Sequence, residues 1–167
     1  MKLISALCAS TLALATTSTA QATTYTPAGT FVFQGTTVLT KGPPITCPLK
    51  ITIVVPNAAP DAHGTASHGH VATATPVLGG VCLATVFNGT PYPVTFDGTN
   101  ISLQNVLMTF FSPGSCSGSI TGAWGGNTAT PRTISVNASL AGSTPPSCTI
   151  VGTLTQISGA PLSIANP

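Results

Sequence analysis

The three histidines of the chain lie close together in sequence, and their side chains could ligate a metal ion. His63, His68 and His70 follow Asp61 in a stretch that is rich in Gly and Ala. On a strand, His68 and His70 would share one face, which suits a pair of Zn or Cu ligands. A His-x-His pair is a weak signal, because histidines of a hydrated loop also bind metal adventitiously. We predict no specific metal site and keep these histidines as weak candidates.

Nucleophilic and acid–base catalysis find little support in the sequence. Residues 114–118 read G-S-C-S-G, which is the spacing of a nucleophile elbow with Cys116 as the attacking group. A nucleophile elbow needs a strand-to-helix turn, and no helical period follows this segment. Acid–base chemistry could use only Asp61 and Asp97, and no further carboxylate is present to tune them. We predict that the protein is not an enzyme and needs no cofactor.

The first 22 residues have the three regions of a secretory signal peptide. Lys2 supplies the positive start, Leu3 to Ala15 form the apolar middle, and Ala20-Gln21-Ala22 is a small-residue cleavage site. The apolar run is shorter than the roughly 20 residues of a transmembrane helix, and no later run is long enough. The sequence predicts a signal peptide over residues 1–22, one folded domain over residues 23–167, and a secreted protein, extracellular or on the cell surface, without a transmembrane span.

Four cysteines remain after the predicted leader, and an even number favours disulfides in an oxidising compartment. These residues are Cys47, Cys82, Cys116 and Cys148. Four cysteines allow three pairings. We favour the sequential pairing, because each bond would then join neighbouring strands within one half of the chain. Each closed loop of a few tens of residues would contribute about 3–4 kcal/mol to the free energy of unfolding.

Charged side chains are almost absent. The chain has four Lys or Arg and two Asp or Glu, together 4% of its residues, whereas ordinary soluble domains have about 25%. Nucleic-acid binding needs clustered cations, but the cations after the leader, Lys41, Lys50 and Arg132, are dispersed. We exclude nucleic acid as a partner. Disorder is also disfavoured, because disordered chains combine high charge with low hydrophobicity.

Alternation of apolar and polar residues with period 2 dominates the rest of the chain. It is strict from Thr133 to Leu140, and 17 Gly and 15 Pro interrupt the chain too often for long helices. Predicted strands cover Thr30–Leu39, Leu49–Val55, His70–Thr75, Val81–Phe87, Val94–Phe96, Ile101–Leu103, Val106–Phe111, Thr133–Leu140 and Cys148–Thr155. The pattern predicts an all-β fold, a single antiparallel β-sandwich with short Gly/Pro turns and two disulfides.

Four aromatic side chains are candidates for apolar contacts with a partner. They are Tyr92, Phe110, Phe111 and Trp124, which lie beside Pro or Gly residues typical of turns. Aromatic residues of a small β domain also fill its core. Both roles stay open at this point.

A series of short motifs spans nearly the whole chain after the leader. They are Tyr25–Gly29, Leu39–Gly42, Ile45–Cys47, Cys82, Gly114–Cys116, Trp124 and Cys148–Ile150. Their order resembles the bacterial protein activators of alkane oxidation, the PraA/PraB family. The resemblance implies an extracellular protein that promotes growth on, or uptake of, long-chain alkanes without being the oxidising enzyme. It brings no catalytic residues to this chain.

Two functions are compatible with these observations, besides a third, a soluble metal-binding module built on the histidine cluster. The first is a surface-active protein that promotes hydrocarbon assimilation, with a hydrocarbon or oil–water interface as its partner. The alternative is a subunit of an extracellular filament or biofilm matrix, in which copies of the chain assemble by β-strand addition. For that alternative, the exchanged strand would be Thr23 to Phe33, which is apolar, alternates in part and precedes the first cysteine of the predicted mature chain.

We expect processing after Ala22 and two intramolecular disulfides. The intact mass of the secreted protein should start at Thr23 and should rise on reduction by about four hydrogens, two for each disulfide. A lipid adduct, or four thiols that are alkylated without reduction, would contradict this prediction.

Overall fold

The computed structural model describes residues 23–56, 72–110 and 114–165, and strands dominate them. The strands are β1 (Thr24–Thr26), β2 (Gly29–Thr40), β3 (Pro44–Val55), β4 (Thr73–Leu78), β5 (Val86–Asn88), β6 (Tyr92–Phe96), β7 (Asn100–Thr109), β8 (Ser115–Trp124), β9 (Thr133–Gly142), β10 (Cys148–Ser158) and β11 (Ser163–Ala165). A single 3₁₀ turn, Gly80–Cys82, is the only helical segment of the described residues. The all-β prediction is confirmed. Within those ranges, no helix is long and apolar enough to cross a membrane.

Eight strands close into an antiparallel barrel, so the predicted sandwich is wrong. The order around the barrel is β7-β6-β4-β3-β2-β10-β9-β8, and pairing of β7 with β8 completes the ring. β5 pairs with the part of β7 that lies beyond its pairing with β6. The alternation in the sequence could not distinguish the two folds, because both place every second side chain in the core.

Alternate side chains of the strands fill the barrel interior. β9 shows this most simply, since Ile134, Val136, Ala138 and Leu140 are buried while the residues between them are exposed. The largest fully buried side chains are Phe31, Phe33, Leu49, Ile51, Ile53, Ile101, Met108, Ile120, Ile134, Leu140, Ile150 and Leu154. An eight-stranded barrel has an interior just wide enough for such side chains. The core therefore runs along the axis of the barrel.

One predicted strand is mostly a turn. Of the segment Val81–Phe87, only Val86 and Phe87 belong to a strand, the short β5. Gly80 adopts a positive φ of 60°, which glycine tolerates without a steric penalty, and the 3₁₀ turn begins there. The predicted strands Val94–Phe96 and Ile101–Leu103 are confirmed, and they pair with each other as parts of β6 and β7. Of the strand predicted over His70–Thr75, β4 includes residues from Thr73 on, and His70 lies outside the described residues.

Both disulfides lie toward one end of the barrel, here called the disulfide end, where the turns 41–43, 79–85 and 143–147 are found. Cys47 of β3 bonds to Cys82 of the 3₁₀ turn, with the Cα atoms 5.8 Å apart. Cys116 of β8 bonds to Cys148 of β10, with the Cα atoms 6.1 Å apart, and this bond spans the intervening β9. The sequential pairing predicted from the sequence is confirmed.

A second, two-stranded sheet of β1 and β11 packs at the opposite end, here called the capped end. The Asn127 side chain holds β11 like a neighbouring strand: its Nδ2 donates to the Ile164 carbonyl oxygen at 2.8 Å, and its Oδ1 accepts from the Ile164 N–H at 2.9 Å. The Tyr25 hydroxyl of β1 donates to the Val94 carbonyl oxygen at 3.3 Å. These bonds fasten both short strands to the barrel.

Two glycines allow β2 and β10 to approach closely where the barrel bends. Gly35 and Gly152 occupy inward positions, between buried neighbours two residues away on each strand. A Cβ on Gly35 would overlap the carbonyl oxygen of Thr153, and one on Gly152 would lie 2.5 Å from the carbonyl oxygen of Thr36. Glycine at such sites lets a strongly curved sheet close.

We expect Gly35→Ala to lower the free energy of unfolding by about 3 kcal/mol, because its methyl group must displace backbone and not a flexible side chain. Urea unfolding followed by circular dichroism would measure the change. Gly79→Ala is the matched control: Gly79 has an ordinary φ of −117°, and its Cβ would lie 3.4 Å from Cγ of Pro48. Equal stability of the two variants would contradict the close approach of β2 and β10.

Candidate functional surface

The histidine cluster falls outside the described residues. His63, His68, His70 and Asp61 all lie in the range 57–71. Within residues 23–56, 72–110 and 114–165, no group of three or more His, Cys, Asp or Glu side chains could hold a metal ion. The three histidines therefore remain the weak candidates for metal ligands that the sequence indicates.

Cys116 lies in the middle of a strand and not at a strand-to-helix turn. It is fully buried in β8 and its sulfur is bonded to Cys148. A sulfur in a buried disulfide has no thiolate with which to attack a substrate. The G-S-C-S-G segment is thus part of the disulfide framework.

Tyr92 is a core residue, so its candidacy as an exposed apolar contact is wrong. Its side chain is 2% exposed, and its hydroxyl donates to the carbonyl oxygens of Asn88 and Leu107. A buried phenol needs such partners, and here they connect the start of β6 to β5 and β7. Burial raises the pKa of Tyr92, and the hydrogen bond to Leu107 partly offsets that effect.

The other aromatic candidates are half-buried or outside the described residues. Trp124 packs edge-on against Phe33, with ring centroids 6.1 Å apart, and its Nε1 donates to Oδ1 of Asn127 at 3.1 Å. Phe110 also packs against the core. Phe111 lies outside the described residues. Trp124 and Phe110 therefore serve the fold, with only part of each side chain open to solvent.

The two most exposed large apolar side chains of the described residues, Val81 and Leu83, lie instead in one short segment at the disulfide end, together with Val77 and Val86. Val77 is 47% exposed, Val81 78%, Leu83 69% and Val86 50%. We call residues 77–86 the apolar turn. The sequence predicts a strand over Val81–Phe87 in its place, because these residues have the composition of a strand. The preceding Gly79-Gly80 pair was the available signal for a turn.

The apolar turn is held by a disulfide and by backbone hydrogen bonds. Cys82 is tied to β3 by its disulfide, and the Gly79 N–H donates to the Pro48 carbonyl oxygen at 2.9 Å. Three further N–H groups bond within the turn: Cys82 to Gly79, Leu83 to Gly80 and Thr85 to Cys82, at 3.2, 3.3 and 2.9 Å. These four paired N–H groups lower the cost of desolvation when the turn leaves water.

Charge is absent from the apolar turn and sparse around it. Residues 77–86 contain no charged side chain, and the nearest cation in the sheet register is Lys50, opposite Val77. Asp97 lies in the β6–β7 turn, where its carboxylate accepts from the N–H groups of Asn100 and Thr99; these bonds lower its pKa. The exposed residues of the barrel strands are mostly uncharged, and they mix Thr, Ser and Asn with aliphatic side chains such as Val38 and Val151.

Fold and surface together define a small disulfide-linked antiparallel barrel with an almost uncharged exterior and an apolar turn. Residues 1–164 match the family described as alkane oxidation protein activator PraA/PraB-like, and the chain belongs to that family. Comparisons with curated proteins and with solved structures found no match.

We expect the protein to lose its structure at alkaline pH as its tyrosines ionise. Burial raises the pKa of both Tyr25 and Tyr92, while an unfolded tyrosine ionises near pH ~10. The contribution of the neutral phenols to stability is therefore complete below that pH and is lost as the pH rises through the folded-state values.

The test is to follow tyrosinate absorbance and far-UV circular dichroism in one titration; the chain has only two tyrosines. The two signals should change together, above pH ~10. Tyr25→Phe and Tyr92→Phe assign the two contributions. Two phenols that ionise at the ordinary pH while the dichroism stays constant would contradict their burial.

Proposed function

We propose that this protein is an exported, non-enzymatic, surface-active protein that promotes alkane assimilation by adsorbing at the hydrocarbon–water boundary. Family membership supports the link to alkane oxidation. The disulfides fit an oxidising compartment such as the cell exterior. The apolar turn is the single observation that carries the proposed mode of action. It offers aliphatic side chains to a liquid hydrocarbon, which has no fixed shape and no charge.

The free energy of adsorption comes from apolar area removed from water. Complete transfer of one Val or Leu side chain is worth roughly 1.5–3 kcal/mol, so the mostly exposed Val81 and Leu83 together contribute about 2–4 kcal/mol. The paired N–H groups of the turn reduce the opposing cost of desolvation. The disulfide to Cys47 adds a further advantage, because a turn that is already ordered loses little conformational entropy on contact.

A liquid hydrocarbon suits the apolar turn better than a protein partner does. A stable protein interface buries about 800 Å² on each partner and involves about 20–30 residues. The apolar turn comprises only residues 77–86, far fewer than such an interface needs. A hydrocarbon surface adapts its shape and needs no matching pattern of hydrogen bonds, so a small projection is sufficient to enter it.

The filament alternative depends on a free strand edge. The segment Thr23 to Phe33 contains β1 and the first residues of β2; β1 pairs with β11, and β2 is paired with β3 on one side and with β10 on the other. Exchange of this segment would require the barrel to open. No observation of the described residues favours that alternative, and we retain it only as a possible outcome of the test.

We expect Val81→Thr combined with Leu83→Gln to weaken adsorption at a hexadecane–water boundary at least about tenfold, which is the effect of losing roughly 1.4 kcal/mol. Pendant-drop tensiometry of the purified protein would measure this. The wild-type effect should be similar at low and high salt, because screening acts only on charges.

The matched control is Val38→Thr combined with Val151→Thr. These two residues lie opposite each other on the barrel wall, at 41% and 46% exposure. We expect this variant to adsorb within about threefold of the wild type, since the turn is intact. Equal losses in both variants would assign adsorption to the whole surface. A wild-type protein that leaves the tension unchanged but forms long fibres under the electron microscope would favour the filament function.

A further inference from the structure

A groove at the capped end lies apart from the apolar turn. It runs between the loop that precedes β9 and the end of β10, and has a volume of about 200 Å³. Pro131, Ile157 and Pro161 contribute to its apolar walls, and Arg132 lies among them. Ile157 is 59% exposed, at a β-bulge between Gln156 and Ser158. A large aliphatic side chain thus stands open to solvent beside a guanidinium group.

Arg132 is held in place by the main chain. Its Nε donates to the carbonyl oxygen of Leu162 at 2.9 Å, and its Nη1 donates to that of Ala129. These bonds use two of the five N–H donors of a guanidinium group. A fixed, half-buried guanidinium of this kind is suited to bind a carboxylate with its remaining donors.

Arg132 has no carboxylate partner in the described part of the chain. The only acidic side chain there is Asp97, which bonds to the backbone of its own turn and to the side chain of Asn100. The groove therefore holds a positive charge that no carboxylate of the described residues neutralises.

The walls of the groove are fixed before any ligand arrives. The Gln156 side-chain amide donates to the carbonyl oxygens of Ser158, Gly159 and Ala160, and its Oε1 accepts from the Leu162 N–H at 3.2 Å. The Gln156 N–H donates to the Arg132 carbonyl oxygen at 2.8 Å, which joins the two sides. Because these side chains are already ordered, little conformational entropy is lost when a ligand binds in the groove.

We propose that this groove binds the carboxylate end of a straight-chain fatty acid. The carboxylate pairs with Arg132, and the adjoining methylenes contact Pro131, Ile157 and Pro161. The volume equals that of about six or seven water molecules, so it accommodates the head group and a few methylenes while the rest of the chain lies outside. This site is separate from the apolar turn, and its test does not depend on adsorption at a hydrocarbon boundary.

Isothermal titration calorimetry of the full mature protein with octanoate, 1-octanol and acetate tests the two halves of the site. We expect octanoate to bind at least about tenfold more tightly than either 1-octanol, which lacks the charge, or acetate, which lacks the chain. Arg132→Gln should reduce octanoate affinity at least about tenfold. Lys50→Gln, which removes the same charge from the exposed barrel wall, should leave the affinity unchanged.

A second variant tests the apolar half of the site and does not depend on the folding of Arg132→Gln. Ile157→Thr alters an exposed side chain and should weaken octanoate binding about threefold to tenfold, while acetate binding stays unchanged. Equal affinities for octanoate and 1-octanol, or for octanoate and acetate, would overturn the proposal. So would unchanged octanoate affinity in Ile157→Thr, or an equal loss in Lys50→Gln and Arg132→Gln.

Discussion

Pairing between β7 and β8 is the constraint on which the rest of the structure depends. Eight residue pairs along these strands close the sheet on itself. An open sheet presents N–H and C=O groups at its edges, and natural proteins protect such edges with charged side chains. This chain has very few charges to use. Closure removes most of the need for them, because the barrel strands obtain their partners within the ring.

Closure of the barrel also accounts for an irregularity in one of its strands. Asn105 has a positive φ of 57° at a bulge in β7, where the register with β8 shifts by one residue. The Gln104 side chain lies across this bulge, with its Nε2 donating to Oγ1 of Thr95 and its Oε1 accepting from the Ser119 hydroxyl. Bulges of this kind increase the local twist that a closed barrel requires. The apolar turn and the arginine groove lie at opposite ends of the barrel, away from this bulge.

Most of the long strands and the disulfides could be predicted from the sequence because both depend on local or countable features, but β8 was not among the predicted strands. Strict alternation in Thr133–Leu140 predicts one buried face whatever sheet the strand joins, and β9 shows that face. Closure could not be predicted in the same way, since it depends on pairing between β7 and β8, and alternation is the same in a sandwich. The apolar turn was not predicted because Val81, Val86 and Phe87 are residues that are common in strands. The groove combines two segments, around Arg132 and Ile157, that are remote in sequence, and only the barrel brings them together.

Adsorption through a turn differs physically from the adsorption of an ordinary globular protein at an oil surface. An ordinary protein gains apolar contact mainly by unfolding, because its aliphatic side chains lie in the core. Here the core is enclosed by a continuous sheet, and the Cys116–Cys148 bond links β8 to β10 across β9. Both the closed sheet and this bond oppose unfolding. The Cys47–Cys82 bond meanwhile holds exposed aliphatic side chains on a fixed support. Under the proposed function, a folded barrel with an external apolar projection would enter and leave the boundary as one unit, without exposing its core.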